Sequence, residues 1–156
     1  MKELKSRRGS LKKAKELTKK LGIEHHIFSF KEEIGITVDE IAEQALKEGI
    51  SVCSYCAVFR RWLLNKKARE LGVTKIAIAS NLDDECQTIL MNVIKGDFLR
   101  LARTSPMPSI VKDEKFIPRI KPLMFIPENE TKLYVKIRNL PFDESVCPYR
   151  KYNSLR

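Results

Sequence analysis

A short apolar run at residues 75–79, Lys-Ile-Ala-Ile-Ala, restricts the fold more than any other feature of the sequence. Turn-forming residues bound the run, and Asn81, a residue that favours the N-cap of a helix, follows almost at once. Short uninterrupted apolar runs of this kind are typical of parallel strands that are buried on both faces. The sequence therefore predicts an α/β domain with parallel strands.

Helical patterns and one further strand surround this run. A short strand is expected over 24–30. Ser10 is placed to cap the first helix, and Thr37 and Glu40 have the spacing of a capping box. Helices are predicted for five segments, at 10–21, 38–48, 57–71, 82–95 and 128–139. On the helix that follows Asn81, the apolar stripe is expected to face the core; its members are Leu82, Cys86, Ile89, Leu90 and Val93.

The length and composition are those of one soluble domain. The chain has 156 residues, of which 43% are hydrophobic, so a single domain spanning 1–156 is expected. No apolar run approaches the roughly 20 residues that span a bilayer. The first 17 residues are basic but lack the apolar centre of a secretory signal. We therefore expect a cytoplasmic protein with no membrane partner.

Positive charge is the strongest bulk signal. Lys and Arg number 30 against 20 Asp and Glu, which gives a net charge of +10 and favours a polyanionic partner such as nucleic acid. Tyr149 and Tyr152 lie among basic residues of the tail, a combination that suits base stacking. A solvated basic surface is the alternative. The candidate nucleic-acid-contacting residues are Arg100, Arg103, Arg119, Lys121 and Arg150.

Three of the four cysteines form a candidate metal site. Cys53 and Cys56 are three residues apart at the entrance to a helix, and Cys147 is the convincing third ligand. A tetrahedral zinc site needs four ligands, whereas an iron–sulfur cube held by three thiolates keeps one iron open. A redox pair, or two unrelated buried thiols, is the alternative. Cys86 is expected to be a buried thiol on its helix.

An acidic motif follows the strand at 75–79. Asn81 precedes three carboxylates, Asp83, Asp84 and Glu85, in the first turn of the next helix, where the helix dipole stabilises carboxylates and where α/β folds place their sites. Plain helix capping is the alternative.

In combination, these motifs resemble those of the tRNA 2-thiouridine synthetases of the PP-loop (N-type ATP pyrophosphatase) superfamily. The motifs occur in the order C-x-x-C-x-x-x-R-R, N-L-D-D-E, L-M-N-x-x-x-G-D and P-R-x-K-P-L. The similarity runs from about Ser10 to the last residue. The run 91–103 and the pair Arg60-Arg61 look more like the branch that acts on the wobble uridine, position 34.

The resemblance implies ATP-dependent 2-thiolation of a tRNA uridine. ATP would adenylate the C2 oxygen, and sulfur would then displace AMP. The sulfur donor would be a ubiquitin-like sulfur carrier protein or free sulfide. By the same resemblance, Asp84 and Arg60 would be catalytic, and Asn81 and Asp83 would help to bind ATP with Mg²⁺. The ligands of a 4Fe-4S cluster would be Cys53, Cys56 and Cys147.

The sequence departs from the family pattern in one important respect. Family members begin with a strand and a Ser-Gly-Gly-x-Asp-Ser loop that grips pyrophosphate, and no such loop sequence occurs here. We therefore expect a partial, three-layer PP-loop-like domain in which the first strands and the PP-loop are missing and the tail at 141–156 supplies the third cysteine. Alone, such a chain is expected to bind ATP poorly and to be inactive. A homodimer or a complementing chain would supply the rest.

Two other functions are compatible with these residues. The chain could be a non-catalytic tRNA-binding or iron–sulfur-binding remnant, or a structural zinc protein.

Overall fold

The structure, a computed structural model, describes residues 2–104 and 115–149, with side chains described from Gly9 onward. It combines α-helices with a two-stranded parallel sheet, which confirms the α/β class with parallel strands. The three-layer arrangement and the missing strands stay predictions. The elements follow one another as α1 (Lys2–Leu21), α2 (Phe30–Ile34), α3 (Val38–Lys47), α4 (Val52–Glu70), β1 (Ile76–Ala77), α5 (Leu82–Ile94), α6 (Phe98–Leu101), β2 (Arg119–Ile120) and α7 (Glu128–Ile137).

The chain divides into two compact units. The first unit contains Met1–Leu63 together with the segment from Ile137 onward, and the second contains Leu64–Lys136. Helix α4 starts in the first unit and ends in the second. The organisation as one domain stays a prediction.

In the first unit, α3 forms as its capping box predicts. The Thr37 side chain accepts a hydrogen bond from the Glu40 N–H, and the Glu40 carboxylate accepts one from the Thr37 N–H. The predicted start of α1 is wrong, because that helix already begins at Lys2 and Ser10 lies within it. Its end is as expected: Gly22 follows the helix with a positive φ of 64°, a conformation that glycine adopts without strain.

The predicted strand over 24–30 is not formed. Residues 24–29 have no strand partner within the described part of the chain, and Phe30 already belongs to α2. The Ser29 hydroxyl caps α2 by accepting a hydrogen bond from the Glu32 N–H. The cap on α2 needs only residues that are close in the sequence, whereas a strand needs a neighbouring strand to bind its backbone N–H and C=O groups.

A small buried cluster forms the core of the first unit. Its members are Ala42 and Ala45 on α3 and Val52 at the start of α4, and the half-buried rings of Tyr55 and Tyr149 pack against it. This cluster links α3, the first turn of α4 and the C-terminal segment.

In the second unit, β1 and β2 pair in parallel with Ile76 opposite Arg119 and Ala77 opposite Ile120. The Ile76 and Ile78 N–H groups donate to the Pro118 and Ile120 carbonyls, both at 2.9 Å. The apolar run at 75–79 therefore does contain a parallel strand, although only two residues of it are paired.

The predicted buried face of α5 is wrong. Cys86, Ile89, Leu90 and Val93 are exposed, and the buried residues of this helix are Glu85 and Asn92. Leu82, the remaining member of the stripe, is half-buried. The apolar stripe has no covering element within the described ranges, so the hydrophobic spacing alone did not identify the packed face.

None of the helices in the described ranges has the length and apolar character of a membrane-spanning helix.

Candidate functional site

Helix α4 presents Cys53 and Cys56 one turn apart on the same side of the helix. The predicted start of this helix at residue 57 is wrong, because the helix begins at Val52 and both cysteines lie within its first two turns. The Cys53 side chain is half-buried and that of Cys56 is buried. The core residue Val52 immediately precedes this pair and anchors its backbone.

Cys147 comes from the C-terminal segment of the same unit and lies within electrostatic reach of Cys53. Burial raises the pKa of the Cys53 thiol, and the nearby Cys147 and Cys56 raise it further, whereas Arg60 and a hydrogen bond with Ser51 lower it. The Cys147 side chain is exposed. The structure thus brings the three predicted cysteines into one neighbourhood.

These thiols do not form a preformed site for a single metal ion. Across residues 2–104 and 115–149, no three His, Cys, Asp or Glu side chains are grouped as one ion would require. A cubane cluster binds each thiolate through a different iron atom, so its ligands lie further apart than those of one tetrahedral ion. Three thiols are a donor set that such a cluster can use with one iron left open.

Arg60 lies directly beside this cysteine pair. Its Nη2 atom donates a hydrogen bond to Cys56 Sγ at 3.4 Å, one helical turn further along α4. A guanidinium in this position stabilises a thiolate or an anionic group bound to it.

The acidic motif lies in the second unit, and its side chains cap helices. The Asn81 side chain accepts from the Asp84 N–H at 2.9 Å, and Asp84 Oδ2 accepts from the Asn81 N–H at 3.3 Å. Asp83 Oδ2 accepts from the Glu128 N–H at 2.7 Å, at the start of α7. The capping interpretation therefore describes all three side chains, while their predicted roles in catalysis and ATP binding stay predictions.

The next carboxylate, Glu85, is buried and paired. Lys121 Nζ lies 2.7 Å from Glu85 Oε2, and both side chains are almost removed from solvent. Sequence reasoning placed Lys121 among the tRNA contacts and Glu85 in the acidic motif, and it did not predict that these two side chains pair. A buried lysine requires a carboxylate partner, but a separation of 36 positions along the chain hides the pairing from the sequence.

The other candidate RNA contacts differ in their surroundings. Arg100 is exposed and pairs with Asp97 at 3.0 Å, Arg103 is exposed after α6, and Arg119 is half-buried in β2. Arg150 and Tyr152 lie outside the described residues. Tyr149, expected to stack on bases, is instead half-buried against the core of the first unit.

Two polar partners in the first unit were missed by sequence reasoning. The Tyr149 hydroxyl donates a hydrogen bond to the Asp39 carboxylate on α3. Nothing local in the sequence indicates this contact.

In the second unit, the expectation that Cys86 is buried was wrong, since its thiol is exposed.

Fold and site together define a parallel α/β protein with a cysteine-based candidate metal centre. No family model matches the chain. It is 40% identical over 141 residues to a "Probable sulfurtransferase" of Methanocaldococcus jannaschii, covering 88% of this chain and 40% of the relative. It is 41% identical over 140 residues to the tRNA 2-thiolation protein NcsA of Haloferax volcanii, covering 86% and 43%.

A solved structure agrees with these relatives. The U34-tRNA thiolase NcsA from Methanococcus maripaludis, with its [4Fe-4S] cluster, matches at a TM-score of 0.79 and 38% identity over 92% of this chain and 46% of that one. The resemblance found in the sequence is thereby confirmed: this chain fits the tRNA thiolation family. It spans less than half the length of these relatives.

Proposed function

We propose that this chain carries the cluster-binding and tRNA-binding part of an ATP-dependent tRNA uridine 2-sulfurtransferase that acts on wobble position 34. The observation that supports the proposal is that Cys147 belongs to the same compact unit as Cys53 and Cys56 and is near enough to Cys53 to raise the pKa of its thiol. The similarity to a thiolase with a [4Fe-4S] cluster supports the same assignment.

Cys53, Cys56 and Cys147 would hold the cluster as three thiolates. When bound, the cluster would supply an iron with an open position for the incoming sulfur. Arg60, already hydrogen-bonded to Cys56 Sγ, would balance the negative charge of the thiolates and hold anionic groups beside them. The donor set on this chain therefore fits the group that the relative carries.

The acidic motif would serve the ATP-dependent half of the reaction. In this proposal Asp84 acts in adenylation of the uridine C2 oxygen, and Asn81 and Asp83 contribute to binding ATP with Mg²⁺. The hydrogen bonds that now cap α5 and α7 would hold these side chains at fixed positions at the start of α5.

The basic residues would bind the tRNA backbone. Arg100, Arg103, Arg119 and Arg150 are proposed contacts, whereas the burial of Lys121 against Glu85 favours a structural role for that lysine. Binding through phosphates must weaken as salt rises, because bound counterions are released. A tRNA affinity that does not change with salt concentration would contradict this part of the proposal.

ATP use by this sequence needs a pyrophosphate loop that the 156 residues do not contain. We propose that residues 1–156 by themselves bind ATP weakly and are inactive, and that a polypeptide carrying such a loop, or a second copy, restores activity. The reaction would take place in the cytoplasm with a sulfur carrier protein or free sulfide as donor. Micromolar ATP affinity of the isolated chain would contradict the proposal that it binds ATP weakly.

Anaerobic reconstitution tests the cluster directly. The chain is incubated with iron and sulfide, desalted, and analysed for both elements and for the broad absorbance at about 400 nm that such clusters show. We expect Cys53→Ala and Cys147→Ala to lose most of the bound iron. Cys86→Ala is the matched control, because Cys86 is an exposed cysteine of the other unit.

The outcomes separate the proposal from its competitors. Iron binding that survives Cys147→Ala, or zinc binding without any affinity for iron and sulfide, would contradict the proposal. Cluster binding without thiolation of tRNA, even after a polypeptide with the Ser-Gly-Gly-x-Asp-Ser loop is supplied, would identify the chain as a non-catalytic remnant.

A further inference from the structure

The segment that carries Cys147 has no secondary structure of its own. Residues 141–147 form neither helix nor strand, and Cys147 is exposed within them. A cysteine on such a segment samples many positions unless side-chain contacts hold the segment. The position of Cys147 near Cys53 therefore depends on what anchors this segment to the rest of the first unit.

One anchor precedes Cys147. The Asp143 carboxylate accepts hydrogen bonds from the Ser10 hydroxyl on α1 and from Ser145. Lys13, also on α1, places its Nζ atom 5.9 Å from the centre of the Phe142 ring, within range of a cation–π contact. These contacts are exposed to solvent, so each contributes little to holding the segment against α1.

The second anchor follows Cys147 by two residues and is partly buried. The Tyr149 ring packs against Ala42, Ala45 and Val52, and its hydroxyl donates a hydrogen bond to Asp39 on α3. Val52 immediately precedes Cys53. One cluster thus supports both the helix that carries Cys53 and Cys56 and the segment that carries Cys147.

From this arrangement we propose that Tyr149 and Asp39 are positioning residues that hold Cys147 beside Cys53 and Cys56. The proposal rests on the proposed role of the three cysteines as cluster ligands. Tyr149 restricts the segment next to Cys147, and Asp39 fixes the orientation of the tyrosine ring. Side chains that hold a ligating residue in place raise the affinity of a site, because the ligand is already positioned before the metal binds.

The test uses Tyr149→Phe, which removes only the hydroxyl, and Asp39→Ala, which removes its acceptor. After anaerobic reconstitution of the full chain, we expect both variants to lose iron to a chelator about tenfold faster than the wild type. The double variant should be no worse than either single variant, because both remove the same hydrogen bond. Tyr134→Phe is the matched control, an equal change on an exposed tyrosine of α7.

A second readout uses the metal-free chain. Mild oxidation should form a Cys53–Cys147 disulfide, mapped by mass spectrometry, and we expect it to form several-fold more slowly in Tyr149→Phe and Asp39→Ala than in Tyr134→Phe. This readout needs no cluster, so it still tests the positioning role if the wild-type chain fails to bind iron and the proposed function falls.

Two results would overturn the inference. One is a disulfide rate in both variants equal to that of Tyr134→Phe. The other is faster iron loss that occurs only in variants with a lower melting temperature, because a general loss of stability would then account for the iron loss. Equal melting temperatures for Tyr149→Phe and Tyr134→Phe, together with slower disulfide formation, would support it.

Discussion

Lys121 and Glu85 form an ion pair at 2.7 Å, with only 11% and 6% of their side chains exposed. The pair connects the first turn of α5 to the residue that follows β2, and so holds the acidic motif against the sheet of the second unit. Charges this well shielded from water interact strongly, but each is costly to bury without the other.

Removal of one partner should therefore be far more harmful than removal of both. We expect Lys121→Met to lower the free energy of unfolding by about 3 kcal/mol, because Glu85 stays buried without its partner. The double variant Lys121→Met with Glu85→Leu should recover much of the loss. Urea denaturation followed by circular dichroism measures both. Equal losses for the single and double variants would argue against a coupled pair.

The capping box of α3 should make stability depend on pH. Hydrogen bonds from the Thr37 hydroxyl and N–H, with a smaller contribution from Lys31, hold the pKa of Glu40 below its ordinary value of 4.5. The folded state thus favours the charged carboxylate, so the stabilisation is complete above pH 4.5 and is lost as the pH falls through the lower folded value.

Melting temperatures measured from pH 7 to pH 3 test this expectation. Glu40→Gln should melt below the wild type at neutral pH, and the difference should shrink as the solution is acidified below pH 4.5. Glu43→Gln, the same change at an exposed position of α3, is the control. A difference that stays constant with pH would show that Glu40 does not contribute through its charge.

Core and surface apolar residues should respond differently to truncation. Val52 is 2% exposed in the core of the first unit, whereas Leu90 on α5 is 61% exposed. We expect Val52→Ala to cost about 2 kcal/mol and Leu90→Ala less than about 0.5 kcal/mol in urea denaturation. A large loss for Leu90→Ala would mean that the stripe on α5 is covered in solution.

The thiols of the metal-free chain should react in order of exposure. Cys86 and Cys147 are exposed and Cys56 is buried, so iodoacetamide should modify the first two well before the third. Cys53 should lag behind Cys86 at neutral pH, because burial raises the pKa of its thiol and less thiolate is present. Peptide mapping over time gives the order, and early modification of Cys56 would contradict this arrangement of α4.

Interactions between near neighbours were the most predictable from sequence. The capping box at Thr37–Glu40 formed as its spacing indicated, and Asn81 caps α5 as expected, since each needs only residues three apart. The strand over 24–30 failed because a strand needs a neighbour, and the face of α5 was assigned wrongly because periodicity does not show which side another element covers.

From the sequence alone came the α/β class, the helices capped by their own residues, the three candidate cysteines and the resemblance to the tRNA thiolation family. Only the tertiary structure placed Cys147 near Cys53, packed the half-buried Tyr149 against the core of the first unit and paired Lys121 with Glu85. The physical reason is separation along the chain: local backbone geometry determines a cap, whereas contacts between distant residues arise only when the whole chain packs.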